Sequence, residues 1–154
     1  MSTLNLRKTI LFISIGLFVI SLSQKCFCTT YSCGDSIAVF FSGFFGFFLS
    51  FTNLIWLANP LLILSWIIIN RNNKLSVVMS FLAALFALSF LFFPKIIDNE
   101  NGNVSQIISY KIGYWLWLAS CWVMFLGNFF IYRYSKATPL QVRESGQALS
   151  DKGS

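Results

Sequence analysis

Long apolar runs separated by short polar stretches dominate the pattern along this chain. Four runs contain no Asp, Glu, Lys or Arg, and they cover residues 9–22, 37–69, 75–93 and 112–132. A helix needs about 20 mostly apolar residues to cross the hydrocarbon core of a bilayer, which is about 30 Å thick. The pattern therefore predicts an all-α membrane protein, a four-helix bundle with transmembrane helices at about 9–23, 47–69, 75–93 and 112–132.

The second apolar run is too long for one crossing. Its 33 residues would form a helix of about 50 Å. Gly43 and Gly46 lie in its first part, and glycine permits a break in a helix. We therefore expect a short interfacial or re-entrant helix at about 36–45 before the second span. The alternative is one strongly tilted helix that projects beyond the bilayer.

Pro60 lies near the middle of that second span. Proline has no amide hydrogen, so Pro60 cannot bond the carbonyl of Trp56, and a kink is expected there. Polar groups at this depth need partners because hydrocarbon offers none. Asn59 either caps the broken helix, bonds a neighbouring helix or lines a small cavity. The candidates for a polar interior site are Asn53, Trp56, Asn59, Pro60, Ser120, Trp122 and Asn128.

Small residues recur on one side of the third and fourth runs. Such residues let helix backbones approach closely in a membrane. In the third run the spacings are four, three and four, which place Ser76, Ser80, Ala83 and Ala87 on one stripe. In the fourth run Gly113, Ser120 and Gly127 recur at intervals of seven. We expect both stripes to be helix-packing faces.

Composition supports the membrane assignment, and the distribution of charge gives its orientation. Hydrophobic residues make up 56% of the chain and charged residues only 10%, which is too few for a water-soluble domain. Eight of the eleven Lys and Arg residues lie on the side shared by both ends of the chain: Arg7, Lys8, Arg71, Lys74, Arg133, Lys136, Arg143 and Lys152. Positive charge stays cytoplasmic. We therefore expect both termini in the cytosol, a bacterial inner membrane as the location, and a flexible cytoplasmic tail at 135–154.

The net charge of +6 also raises the question of a nucleic-acid partner. The basic residues are dispersed and accompany no binding motif, so we expect the lipid bilayer, and not nucleic acid, as the partner. The first run has a second interpretation as a cleaved signal peptide, because Arg7 and Lys8 precede it and Ser21 and Ser23 follow. We favour retention, since four helices bury more helix surface than three.

Three cysteines cluster after the first span. An oxidising exterior favours a disulfide between Cys28 and Cys33 or between Cys26 and Cys33. Cys121 lies in the fourth span. The chain has no histidine, and its acids lie outside the apolar runs. We expect no metal site, no cofactor and no catalytic constellation.

Two strings resemble a known family. WLANPLL at 56–62 and GYWLWLAS at 113–120 look like segments of small bacterial integral membrane proteins that have no assigned activity. The resemblance implies a four-helix inner-membrane protein and carries over no catalytic residues. From the packing stripes we expect a non-enzymatic bundle that associates with itself, as a homo-oligomer, or with another membrane protein. The alternative is an oligomeric channel or small-solute transporter lined by the mid-membrane Asn residues.

Overall fold

Helices form most of the molecule. The computed structural model describes residues 3–30, 32–46, 55–92, 95–97 and 104–151. Its helices are α1 (Thr3–Leu22), α2 (Ser36–Gly46), α3 (Ala58–Ile68), α4 (Asn73–Ser89) and α5 (Ile112–Asp151). Its strands are β1 (Lys25–Thr29), β2 (Cys33–Asp35), β3 (Lys95–Ile97) and β4 (Val104–Tyr110). Three helical segments are long and apolar enough to cross a membrane: Leu4–Leu22, Asn73–Phe92 and Ile112–Ser135.

Helix α5 is the central element. It packs against α1 and α4, and α3 packs against α4. Ser14 of α1 meets Ser120, whereas Ile10 lies against Gly127, so α1 and α5 are antiparallel. The fully buried side chains that fill the bundle include Leu62, Ala83, Tyr114, Cys121 and Met124.

Helices α1 and α4 run in the same direction. Tyr114, near the start of α5, donates to the carbonyl of Ala87 near the end of α4, so α4 is also antiparallel to α5. The bundle therefore has two distinct ends. We call the end with the first residues of α1 and the turn at 69–72 the basic end, and the end with the strands the sheet end.

Between α1 and α4 the chain returns from the sheet end to the basic end. The Ser36 amide at the start of α2 donates to the Gln24 carbonyl at 3.0 Å. At the other end of this segment, Arg7 Nη1 donates to the Ile69 carbonyl at 3.3 Å. Helices α2 and α3 each have 11 residues, or about 16 Å, so neither alone reaches across about 30 Å of hydrocarbon.

Helix α2 coincides with the short helix expected at about 36–45. Of the span expected at 47–69, residues 47–54 lie outside the described residues, and the described part has a 3-10 turn at 55–57 followed directly by α3, which begins at Ala58. Pro60 therefore lies in the first turn of a helix, where a missing amide hydrogen leaves no helical bond unmade. The kink expected at Pro60 stays a prediction, and Asn59 does not cap the start of α3.

The sheet corrects the all-α prediction. The strands form an antiparallel sheet in the order β2-β1-β4-β3. Cys28 lies opposite Cys33, and Phe27 lies opposite Tyr110. These strands lie in the connections between the predicted spans. They pair because a strand ladder satisfies their backbone N–H and C=O groups, and because Phe27 and Tyr110 pack against Phe90.

The last helix is longer than the apolar run that predicted it. The run ends at Tyr132, and α5 continues to Asp151 through the segment expected to be a flexible tail. The flexibility of that segment stays a prediction.

Candidate functional site

A buried polar cluster joins three helices near the basic end. We call it the Asn128 cluster; it comprises Asn128 of α5, Ser65 of α3, and Ser76 and Ser80 of α4. Asn128 Nδ2 lies 3.2 Å from Ser65 Oγ, 2.9 Å from Ser76 Oγ and 3.3 Å from Ser80 Oγ. The four side chains are fully buried. The cluster therefore joins three helices through hydrogen bonds in the interior of the bundle.

Ser65 and Ser76 also bond each other across the turn between α3 and α4. Ser76 Oγ donates to the Ser65 carbonyl at 2.9 Å, and Ser65 Oγ lies 3.3 Å from the Ser76 carbonyl. Ser80 Oγ donates to the Ser76 carbonyl at 2.8 Å. Since these hydroxyl hydrogens go to carbonyls, the hydroxyl oxygens are free to accept from the Asn128 amide.

One atom of this cluster lacks a partner. Asn128 Oδ1 is buried and accepts no hydrogen bond from the described residues. If the amide were reversed, the serines would face the oxygen and the nitrogen would lack a partner instead. A buried amide atom without a partner costs about 1–3 kcal/mol.

A second polar cluster joins α1 to α5 and α3. The Ser14 and Ser120 hydroxyl oxygens are 3.1 Å apart, and Ser120 Oγ donates to the Ser14 carbonyl at 2.8 Å. Trp66 Nε1 donates to Ser14 Oγ at 3.0 Å. We call these three residues the Ser14 cluster, and its geometry makes α1 an integral part of the bundle.

The residues predicted for one polar interior site lie at separate places. Asn59 Oδ1 accepts from Trp117 Nε1 at 2.9 Å, which joins α3 to α5. Trp56 Nε1 instead donates to the Phe40 carbonyl of α2 at 2.7 Å. Trp122 packs edge-on against Phe125. Asn53 lies outside the described residues.

Four participants were missed: Ser14, Ser65, Trp66 and Trp117. The contact of Ser65 with Ser76 could have been predicted from the sequence, because the two residues are equally far from the centre of the short polar turn. In two antiparallel helices joined by such a turn, equidistant residues face each other. The remaining three had no such signal, since their contacts depend on how each helix is rotated about its axis.

Five of the six predicted packing residues are buried, Gly127 is half-buried, and Gly113 packs against a partner other than a helix. Ser76, Ser80, Ala83 and Ala87 are all fully buried on α4. Gly127 lies against Ile10 of α1. Gly113 instead packs against the sheet, because a Cβ there would lie 2.6 Å from the Lys25 carbonyl oxygen. Gly113 therefore permits a close contact between the start of α5 and β1.

The cysteines at the sheet end are divided between a disulfide and a buried thiol. Cys28 and Cys33 are joined, which is one of the two pairings left open above, and Cys26 is free. Burial raises the pKa of the Cys26 thiol to about 11, against a smaller lowering effect of Ser36. Because the thiolate is the reactive form, Cys26 is a weak nucleophile at neutral pH.

The described residues form no metal-ligand set. In the described ranges, no three His, Cys, Asp or Glu side chains group together as metal ligands. The Asn128 and Ser14 clusters contain amide, hydroxyl and indole groups, whose observed role is to bond one helix to another.

Comparisons with protein families, curated proteins and solved structures gave no match. The resemblance of residues 56–62 and 113–120 to small bacterial membrane proteins therefore stays a prediction.

Proposed function

We propose that this chain is a four-crossing membrane protein in which α2 and α3 together provide the second crossing. The supporting geometry is the shared direction of α1 and α4. Two helices that cross a bilayer in the same direction require the chain between them to cross back. Ser36 beside Gln24 and Ile69 beside Arg7 mark the two ends of that return.

The orientation follows from the charges. Arg7, Lys8, Arg71, Lys74 and Arg133 all belong to the basic end, which suits the cytosolic face of a bacterial inner membrane. The sheet and its disulfide then lie in the oxidising exterior. Retention of α1 follows from the same account, because cleavage would remove Ser14 and leave Ser120 and Trp66 without their partner.

The function that this geometry supports best is non-enzymatic association, with a second copy of the chain or another membrane component. The observation that carries the proposal is that the interior polar groups bond helix to helix within one chain. The bonded groups are Ser14 with Ser120, Asn59 with Trp117, and Asn128 with three serines. These bonds stabilise a scaffold. The scaffold presents the sheet, whose edge strands β2 and β3 each have one neighbouring strand in the described part of the chain.

Crosslinking in native membranes, followed by native mass spectrometry, tests this proposal. We expect a dimer or a copurifying membrane protein from the wild type. Replacing both disulfide cysteines, Cys28→Ser with Cys33→Ser, should weaken that association because it loosens β1 and β2. Cys121→Ser, inside the bundle, is the matched control. A strictly monomeric wild type without a copurifying partner would contradict the proposal.

The rival is an oligomeric channel or small-solute transporter. It is favoured by one observation, the buried Asn128 Oδ1 without a partner. Asn59 is already bonded to Trp117, so the polar lining would depend on Asn128. Flux of small polar solutes into liposomes discriminates between the two proposals. Flux that is absent from wild type removes the rival, and flux that survives Asn128→Leu removes this residue from it.

A further inference from the structure

The basic end brings together two pairs of cationic residues from different elements. Arg7 and Lys8 lie in the first turns of α1, whereas Arg71 and Lys74 flank the junction between α3 and α4. The Arg7 guanidinium donates to the Ile69 carbonyl at 3.3 Å, and the Arg71 amide donates to the Ile68 carbonyl at 2.8 Å. Both pairs therefore adjoin the last turn of α3.

These cations lack a nearby counter-charge among the described side chains. The one described carboxylate, Asp35, lies at the sheet end opposite Lys25. Lys8, Arg71 and Lys74 are exposed, and Arg7 is half-buried. Charge complementarity thus calls for an anionic ligand that approaches from outside the bundle.

The surroundings of these cations favour a lipid over a free anion. Exposed apolar side chains lie within four positions of these cations: Leu4 on α1 is 56% exposed, Ile67 in the last turn of α3 62%, and Leu75 on α4 38%. A surface on which apolar side chains adjoin basic ones matches a molecule with acyl chains and a phosphate. An inorganic anion would make no use of the apolar part.

We propose that Arg7, Lys8, Arg71 and Lys74 form a binding site for the phosphate headgroup of an anionic phospholipid in the adjacent leaflet. The Ile69 carbonyl positions Arg7, and Arg71 and Lys74 provide the exposed charges that contact the headgroup. Arginine suits phosphate because its planar guanidinium donates two parallel hydrogen bonds. The proposal depends on membrane insertion, and it is independent of the association proposed above and of which side the basic end faces.

The test is a titration of the detergent-solubilised full chain with phosphatidylglycerol and, separately, phosphatidylcholine, followed by native mass spectrometry. The test variant is Arg71→Gln with Lys74→Gln, which removes two exposed charges and keeps the Asn72 cap on α4. The matched control is Lys25→Gln with Lys111→Gln, which removes two exposed charges from the sheet end. A thermal unfolding curve for each variant checks that the fold is retained.

Each basic residue near an anionic headgroup contributes about 1 kcal/mol, which corresponds to about fivefold in affinity. We expect the wild type to prefer phosphatidylglycerol over phosphatidylcholine, and the Arg71 and Lys74 variant to bind phosphatidylglycerol about 25-fold more weakly. The control should stay within about twofold of wild type. Equal affinity for both lipids, an unchanged affinity in the test variant or an equal loss in the control would overturn the proposal. Displacement of the lipid by millimolar inorganic phosphate would identify a free-anion site instead and would also overturn it.

Discussion

The interior of the bundle and the sheet end are held together by different interactions. In the bundle, Ser14, Ser65, Ser76, Ser120 and Asn128 bond helix to helix, and each of them is fully buried. At the sheet end a strand ladder, a disulfide and packed aromatic rings hold β1 and β4 against the start of α5.

The proposed membrane placement explains this difference, because it puts the two regions in different solvents. Lipid tails are as apolar as leucine, so burying apolar groups does not drive helices together, and small residues with interhelical hydrogen bonds do so instead. In the proposed placement the sheet end lies in water, where burial of Phe27, Phe90 and Tyr110 stabilises the structure through the hydrophobic effect. The bundle should therefore tolerate single changes better than the junction with the sheet does.

The largest effect that separates the two regions is expected from Gly113→Ala. The new Cβ would lie 2.6 Å from the Lys25 carbonyl oxygen, a backbone atom that cannot move without shifting β1. We expect a loss of about 2–3 kcal/mol in the free energy of unfolding, measured by denaturation in detergent.

Two other glycines are the controls for that change. The three atoms nearest to a Cβ at Gly127 all belong to the side chain of Ile10 and not to a backbone, so Ile10 must shift on α1 and the loss should be smaller, about 1–2 kcal/mol. Gly16→Ala meets nothing within 4 Å and should be neutral or slightly stabilising, because alanine has the higher helix propensity. Equal losses of stability for Gly113→Ala and Gly127→Ala would show that a substitution at the junction with the sheet is no more destabilising than one in the bundle.

Loss of the disulfide should act on the sheet end alone. Cys28 and Cys33 are separated by five positions, and a loop of that size contributes about 2 kcal/mol in the chain-entropy model. In the double variant Cys28→Ser with Cys33→Ser, hydrogen exchange should rise for the amides of β1 and β2 and stay unchanged in α4. Faster exchange throughout α4 would mean that the bundle depends on the sheet.

A smaller effect is expected for Asn128→Ala in the bundle. Side-chain hydrogen bonds between membrane helices contribute about 0.6 kcal/mol on average and up to about 1.7 kcal/mol. The loss should lie in that range, because the serine hydroxyls keep their carbonyl acceptors and the unpartnered Oδ1 is removed as well. A double-mutant cycle with Ser76→Ala measures the coupling, and a coupling of zero would contradict the assigned bond.

The smallest effect at neutral pH concerns Cys26. Burial raises its pKa from 9.0 to about 11, so the folded state favours the neutral thiol. That contribution to stability is fully present below about pH 9 and is lost as the pH rises toward 11. The difference in the free energy of unfolding between wild type and Cys26→Ser should therefore be constant from pH 7 to 8.5. Above pH 9 the wild type should lose stability relative to Cys26→Ser. A stability difference that stays constant up to pH 11 would mean that the thiol keeps its ordinary pKa and is exposed.

The two regions also differ in how far the sequence predicts them. The segments of α1, α4 and α5 that are apolar enough to cross a membrane follow directly from their apolar runs. The sheet was missed because its strands have three to seven residues and lie next to long apolar helices. In β4, Val104, Ile107, Ile108 and Tyr110 are residue types common in strands, and they were the available signal.

The polar interior was predicted residue by residue but not as groups. Asn59, Ser120 and Asn128 stand out because polar side chains are rare in an apolar run. Their partners depend on how each helix is rotated about its axis, which is a property of the packed structure. Only the pairing of Ser65 with Ser76 follows from the position of the turn.

The central claim, four crossings with the sheet and the α3–α4 turn on opposite sides of the membrane, is tested most directly by cysteine labelling. Asn70→Cys places a thiol in the turn, and Lys111→Cys places one beside the sheet; both positions are exposed. The native cysteines contribute little background because Cys26 and Cys121 are buried and Cys28 is bonded to Cys33. With a membrane-impermeant maleimide on intact cells, we predict labelling of Lys111→Cys, and labelling of Asn70→Cys only after permeabilisation. Labelling of both positions from the same side would contradict the account.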